Sequence, residues 1–310
     1  MIRLTHRDPV PDGLRGAIVA LGNFDGFHLG HQRVVAEAVT WARSEGRPAI
    51  VATFDPHPVR HFAPHVPPFR LTTLDQRQEL FAAAWADAML VFAFDAELAT
   101  MSAESFVADL LAARIGAAGV VTGQDFTFGR GRGGSTATLA GEGAGCGIRA
   151  RAIAPVTAAG LTVSSSRIRD ALKAGECEVA AALLTRPFAV RARVQHGDKR
   201  GRTIGYPTAN MDMGTYLRPR YGIYAVTVRD LAGRGMWQGA ANLGVRPQFE
   251  PPVELLEAYL FDFAGDLYDR ELEVALHHFL RPEAKFDSLA ALTAQMDADC
   301  ARARTLLSAR

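Results

Sequence analysis

The sequence predicts an α/β doubly wound parallel sheet followed by an antiparallel β-barrel with a closing helix. Three observations predict it. Short unbroken apolar runs such as Ala17-Ile18-Val19-Ala20-Leu21 alternate with helical patterns through the first half, as strands buried on both faces do. From about Thr185 the texture changes, and Val190, Ala192 and Val194 alternate with Arg191, Arg193 and Gln195, the period of a half-buried strand. Further short strand-like runs follow with no helical pattern between them, and an alanine- and leucine-rich stretch from Asp287 to Leu307 reads as a final helix. The change near Arg186-Pro187 divides the chain into expected domains at 1–185 and 186–310.

At 310 residues, each part is long enough to bury a core of its own. A net charge of +1 gives no bulk attraction to nucleic acid or an anionic membrane, so any phosphate binding must be local. No apolar run approaches bilayer-spanning length, and Met1-Ile2-Arg3-Leu4-Thr5-His6 lacks a signal-peptide pattern. Cys146, Cys177 and Cys300 are odd in number and far apart, which fits reduced thiols better than disulfides or zinc. A cytoplasmic protein is expected, a monomer or weak homo-oligomer with small-molecule substrates and neither nucleic acid nor membrane as partner.

The first apolar run leads into Gly22-Asn23-Phe24-Asp25-Gly26-Phe27-His28-Leu29-Gly30-His31-Gln32, after which Val34, Val35, Ala38, Val39 and Ala42 recur at helical spacing. The glycines and histidines therefore lie on a strand-to-helix turn at the carboxyl end of a sheet strand, where doubly wound folds place ligands. Glycines let the backbone approach a ligand closely. His28 and His31, three apart at a helix start, share a face of an anion-binding terminus. Such a turn suits phosphates and the charge that develops on them in reaction. A metal site would want a third ligand, and the turn offers only Asp25.

The next strand, 48–55, runs into Asp55-Pro56-His57-Pro58, read as a rigid extended turn. A helix follows over 75–86, a strand over 89–92, a helix capped by Ser102 through Ile115, and a strand over 119–123. The loop after it, Gly123-Gln124-Asp125-Phe126-Thr127-Phe128-Gly129-Arg130-Gly131-Arg132, sets aromatics beside arginines, a composition suited to a planar ring that carries a phosphate. Val163-Ser164-Ser165-Ser166-Arg167-Ile168-Arg169 opens a helix ending near Gly175, with serines that supply caps and N–H groups to a phosphate.

In the second half, His196-Gly197-Asp198-Lys199-Arg200-Gly201-Arg202-Thr203-Ile204-Gly205 is a basic glycine-rich loop leading into Tyr206-Pro207-Thr208-Ala209-Asn210. It does not fit the P-loop pattern. On an extended chain Thr208 and Asn210 point the same way and offer two hard oxygens, as a Mg²⁺–nucleotide complex requires. A strand over Glu257-Ala258-Tyr259-Leu260-Phe261-Asp262-Phe263 would place Glu257 on one face with Tyr259, Phe261 and Phe263, where a carboxylate needs a partner or a task.

The G-x-F-D-G-x-H-x-G-H series resembles the H-x-G-H motif of nucleotidyltransferases, and in this longer form the bacterial bifunctional riboflavin kinase/FAD synthetases. The Gly123 loop, the serine-rich helix start, the Pro-Thr-x-Asn segment, Tyr221-Gly222-Ile223-Tyr224, Ala241-Asn242-Leu243-Gly244 and Glu257 through Tyr268 resemble that family in the expected order. The resemblance implies an N-terminal nucleotidyltransferase domain and a C-terminal riboflavin kinase barrel, using ATP and Mg²⁺ to convert riboflavin to FMN and FMN to FAD. It assigns ATP to Gly22, Asn23, Phe24, Asp25, Gly26, Ser164 and Ser165 in the first domain, and to Gly197, Lys199, Gly201, Arg202 and Thr203 in the second. Flavin falls to Phe54, Pro56, His57, Pro58, Asp125, Phe126, Phe128 and Arg130, the metal to Thr208 and Asn210, and catalysis to Glu257, His28, His31 and Arg169. Ser166 stands where threonine is usual, Arg77 where lysine is common, and Gln248 where threonine is common after Arg-Pro. Another H-x-G-H adenylyltransferase, or a flavin-binding protein without catalysis, remains an alternative.

Overall fold

The computed structural model describes residues 1–196, 205–233, 235–246 and 253–309, which form two compact units. The first comprises Met1–Val66 and Thr72–Ser164; the second comprises Pro67–Leu71 and Ser165–Arg310.

In the first unit the strands are β1 (Ile2–Thr5), β2 (Ile18–Leu21), β3 (Ala49–Asp55), β4 (Ala88–Ala93), β5 (Gly119–Gly123) and β6 (Arg149–Ile153). They form a six-stranded sheet in the order β1-β4-β3-β2-β5-β6, and every pairing is parallel. Alternate residues of the strands enter two separate cores. Val19, Leu21, Ile50 and Ala52 face one, while Ile18, Ala20, Val51 and Met89 face the other. Both faces are thus covered, which accounts for the unbroken apolar runs.

The helices are α1 (Leu29–Ser44), α2 (Pro58–Phe62), α3 (Leu74–Ala83), α4 (Ala96–Thr100), α5 (103–115, π-helical over Phe106–Ile115) and α6 (Thr136–Gly145). Ser102 caps α5 as expected, its hydroxyl accepting from Ser105 N–H at 3.1 Å. Pro58 does not continue an extended turn: it opens α2, with His57 as the cap. A proline in the first helical position lacks only an N–H that would have no intrahelical partner. The chain order leaves β2 flanked by β3 and β5, so the direction of winding reverses beside β2. That crevice, at the carboxyl ends of the strands, is the binding position of the doubly wound class. A small hairpin, β7 (Thr157–Ala158) with β8 (Leu161–Thr162), follows the sheet.

The second unit begins with α7 (Ser165–Ala174) and α8 (Cys177–Leu184). Its strands are β9 (Phe188–Gln195), β10 (Thr208–Asp212), β11 (Gly222–Asp230), β12 (Met236–Arg246), β13 (Val253–Leu260) and β14 (Glu271–Arg281). They close into a barrel in the order β10-β13-β12-β11-β14-β9, with antiparallel pairings throughout. Strand alternation decides what is inside: Val190, Val194, Leu243, Leu256, Ala258 and Val274 are all buried. The closing helix α9 (Leu289–Ser308) lies on the outer face, where Ala303 and Leu307 pack with Ala225, Ala240, Phe261 and Leu280. The β13 strand stops at Leu260, because Asp262 turns the chain at φ 57°. Phe261 and Phe263 therefore lie beyond the strand, and of the three aromatics Tyr259 alone shares Glu257's face within it.

Candidate active sites

In the first unit the turn after β2 is built from buried side chains that hold its glycines and histidines in place. Phe24 and Phe27 are 1% and 4% exposed, and both adopt positive φ. Phe24 packs edge-on against His31 and Phe81. Asp25 is also buried, and its Oδ1 accepts from Thr72 N–H at 3.0 Å and from the Thr72 hydroxyl at 3.3 Å. The Thr72 Oγ1 accepts in turn from Gly26 N–H at 2.9 Å. His28 caps α1, its Nδ1 accepting from His31 N–H at 3.4 Å. The two imidazoles stack at 3.6 Å between centroids, 19° apart, at the positive end of the helix dipole. Gly30 leaves room for this stack, since a Cβ there would stand a tight 3.2 Å from His28 Cε1.

Arg77 acquires a clear structural role. It is 3% exposed, and its Nη1 donates to Thr53 Oγ1 (2.7 Å) and Asn23 O (3.2 Å), while Nη2 reaches Asp55 Oδ1 at 3.4 Å. The Thr53 hydroxyl donates to Asn23 O at 2.7 Å. One guanidinium thus ties together the carboxyl ends of β2 and β3.

Three motif loops leave the carboxyl ends of adjacent strands: 55–58 after β3, 22–28 after β2 and 124–134 after β5. The last is anchored, with Phe128 and Gly134 exchanging backbone bonds and Arg130 N–H donating to Met101 O at 2.7 Å. Phe126 stacks on Phe128 at 5.9 Å and 15°. Phe54 and Phe128 are core residues, each 6% exposed; Phe126 is half-buried, and Asp125 and Arg130 are exposed. Pro56 is exposed, with His57 and Pro58 half-buried. Ser164 ends the first unit and Ser165 begins α7 in the second. Arg169, on α7, donates from Nε to Phe69 O at 2.8 Å.

The second site lies on the outer face of the barrel. Glu257 of β13 stands opposite Asn210 on β10 and Asn242 on β12, so the three side chains form one row across adjacent strands. Thr208 heads the next row, opposite Tyr259. Above them is a cavity of about 570 Å³, lined by Thr208, Asn242 and Glu257 from the barrel and by Leu292, Met296 and Cys300 from α9. Arg281 and Asp299 close part of its wall. Arg281 Nε and Nη2 donate to both Asp299 oxygens at 2.7–3.0 Å, and Gln295 Nε2 adds a bond at 3.0 Å. Tyr206 donates its hydroxyl to Asp297, and that bond leads the effects holding its ionisation well above the ordinary range. Burial, with Asp299 and Asp297 near, pushes the Cys300 thiol up to about 11, so it stays neutral in this wall. A second cavity of about 350 Å³ shares Thr208 and is lined by Pro207, Leu260, Phe263, Asp266 and Tyr268.

Comparison with known proteins decides what these two sites belong to. Family models match the chain in tandem, FAD synthetase over residues 11–167 and riboflavin kinase over residues 184–307. A bifunctional riboflavin kinase/FMN adenylyltransferase of Pseudomonas fluorescens is 40% identical over 293 residues, covering 94% of this chain and 93% of that protein. The chain belongs to the bifunctional riboflavin kinase/FMN adenylyltransferase family. The Escherichia coli K12 member is 36% identical over 289 residues, 93% of this chain and 92% of its own. A crystal structure of a Streptococcus pneumoniae protein described as a macrolide-efflux protein shares the fold, with a TM-score of 0.86 and 29% identity over 96% of this chain and 97% of that one. Among the described residues here, no helix is long and apolar enough to cross a membrane.

For a riboflavin kinase/FMN adenylyltransferase, the structure brings His28 to His31 and Glu257 to Asn210. It gives Asp25 a buried partner in Thr72. Gly197, Lys199, Gly201, Arg202, Thr203 and Gln248 lie outside the described residues. Sequence reasoning missed Thr72, the Arg281–Asp299 pair and the α9 wall. Leu292, Met296 and Cys300 recur every four residues, a helical-face signal that could have marked the wall. Thr72→Val keeps the shape but removes the hydroxyl shared by Asp25 and Gly26. It is expected to cost about 1–3 kcal/mol of stability, while Thr72→Ser costs far less. Equal melting temperatures for Thr72→Val and the parent chain would contradict the role given to this bond.

Proposed function

We propose that the barrel phosphorylates riboflavin with ATP, giving FMN, and that the parallel-sheet part adenylylates FMN with a second ATP, giving FAD and pyrophosphate. The observation that carries the kinase half is Glu257, in a row with Asn210 and Asn242, lining with Thr208 and Asn242 a cavity that Leu292, Met296 and Cys300 of α9 also line. The isoalloxazine ring is assigned to the larger cavity and the nucleotide to the smaller one. Thr208 lines both, and the ribityl terminus and the γ-phosphate are assigned to meet beside it.

In the first reaction Glu257 takes the proton of the terminal ribityl hydroxyl. The oxygen bonds to the γ-phosphorus, and the bond from that phosphorus to the β-phosphate oxygen breaks, releasing ADP. The donors beside the row fit Mg²⁺: Thr208 offers a hydroxyl and Asn210 an amide oxygen on one face, and the nucleotide phosphates would complete a set of hard oxygens. When bound, the ion supplies charge neutralisation on the phosphates. The basic loop 197–205 is assigned to covering them.

In the second reaction the FMN phosphate attacks the α-phosphorus of ATP and pyrophosphate leaves. The nucleophile is already an anion, so no general base is needed. His28, His31 and the α1 N-terminus stabilise the charge on the transferring group, and Arg169 is assigned to the same task. Gly22, Asn23 and Ser164 are read with them as ATP contacts, and Phe126 with Asp125 and Arg130 as the flavin side. The activity boundary is placed near 185/186. The chain is read as a cytoplasmic monomer or weak homo-oligomer, which its three free cysteines fit.

Glu257→Gln keeps the shape and removes the proton acceptor, so riboflavin phosphorylation should fall by about 10²–10⁴-fold with melting temperature and FMN adenylylation unchanged. Normal kinase turnover would sink the mechanism; a joint loss of stability would make the carboxylate structural. Replacing His28 and His31 together by Ala should stop FAD formation from FMN while FMN still forms from riboflavin. FAD synthesis at the parent rate would remove the histidines from the reaction.

A further inference from the structure

Thr208 is the first residue of β10, and the barrel ladder holds it less completely than Asn210 on the same face. Asn210 pairs on both sides, with Glu257 of β13 and Gln195 of β9. Among the described residues, Thr208 pairs with Tyr259 of β13 alone. A strand end paired on one side opens readily unless something outside the ladder anchors it. Tyr206, two residues earlier, supplies an anchor. It is 8% exposed, and Pro207 favours an extended backbone at this position. Its ring packs on Tyr259, the residue opposite Thr208, at 4.9 Å between centroids and 60°. Its hydroxyl donates to the exposed Asp297 carboxylate on α9 and stays protonated in that bond. The helix is thus tied on two sides, through Asp299 to Arg281 of β14 and through Asp297 to the head of β10. Tyr206, Thr208 and Tyr259 all line the larger cavity.

We propose that Tyr206 is a positioning residue for Thr208 in riboflavin phosphorylation: its hydroxyl, bonded to Asp297, and its ring, packed on Tyr259, hold the head of β10 so that the Thr208 hydroxyl is set before substrates arrive. The inference rests on the reading of Thr208 as a hard oxygen beside the nucleotide phosphates. Mg²⁺ demands near-ideal octahedral geometry, which a ligand on a loose strand end does not offer. Phosphoryl transfer gains chiefly from positioning, and ordering a loose residue at each turnover costs free energy. A hydroxyl bonded to a carboxylate is one of the stronger hydrogen bonds a side chain can make, and it sets direction as well as distance. Phenylalanine at 206 would fill the same space but leave α9 and the strand head unconnected, which isolates the work of the hydroxyl.

The test is made on the full chain. Hydrogen exchange of the 205–212 peptide in the free protein is read beside both reaction rates and melting temperature. Tyr206→Phe should speed that exchange and lower the kcat of riboflavin phosphorylation about tenfold, the size of a lost bond to a charged acceptor. It should also raise the Mg²⁺ concentration that gives half the maximal rate, with FMN adenylylation unchanged. Asp297→Ala should match it, and decides the matter if Tyr206→Phe does not fold. Asp297→Asn, which keeps an acceptor oxygen, should stay within about threefold of the parent chain. In a Thr208→Val background Tyr206→Phe should add no more than about twofold, because the group it positions is gone. Unchanged exchange and phosphorylation in Tyr206→Phe and Asp297→Ala overturn the proposal. So does faster exchange with phosphorylation unchanged, an effect that multiplies in full with Thr208→Val, or a parallel fall of both reactions with melting temperature. Thr208→Val with normal phosphorylation would instead overturn the reading of Thr208 itself.

Discussion

In the barrel unit α9 is held against the outer face by several contacts, and the most buried polar one is the fork between Arg281 and Asp299. Both Asp299 oxygens are bonded by one guanidinium, and the carboxylate is almost wholly buried. A bidentate pair of this kind sets direction as well as distance. Removing either partner would strand the other with little access to water, which is far more costly than losing an exposed pair. Ala303 and Leu307 of α9 pack on the barrel, while Leu292, Met296 and Cys300 face Thr208, Asn242 and Glu257 across a cavity. The barrel does the complementary work. Closure with Leu256 and Ala258 inside leaves Glu257 no choice but the outer face, under the helix.

The sheet unit meets a different constraint with equal economy of parts. A parallel sheet gathers its loops at one edge, and the reversal beside β2 leaves a crevice there. The glycine-rich turn is then held from below: Arg77 ties β2 to β3, and Thr72 ties Asp25 to Gly26. With the backbone fixed by these buried groups, two stacked imidazoles sit at a helix N-terminus.

Much of this was legible in the sequence, because periodicity reports burial directly. The runs that became β2, β3, β4 and β5 are buried on both faces, and the alternation of Val190, Ala192 and Val194 marked the barrel wall. Less was legible at the margins. The β6 strand, Arg149-Ala150-Arg151-Ala152-Ile153, is an edge strand with exposed arginines and carries no apolar run. Residue type could not separate an aromatic that stacks on a ligand from one that fills a core, so Phe54 and Phe128 read like Phe126 although the structure buries them. Contacts distant in sequence left no local signal: Arg77 acts on residues 22 to 54 positions away, and Phe69 holds an arginine 100 positions away. The α9 wall had a helical spacing, but spacing alone does not say whether an apolar face meets a strand or a cavity.

The central claim is that one chain carries two chemically separate sites joined by an FMN that the first makes and the second consumes. Mixing tests it most directly. A Glu257→Gln chain and a His28→Ala/His31→Ala chain are combined in equal amounts with riboflavin and Mg²⁺–ATP, and the flavin products are separated over time. Neither chain alone should make appreciable FAD from riboflavin, and the mixture should make it after a lag while FMN accumulates. A mixture that yields FMN but no FAD would contradict two independently working sites linked by free product.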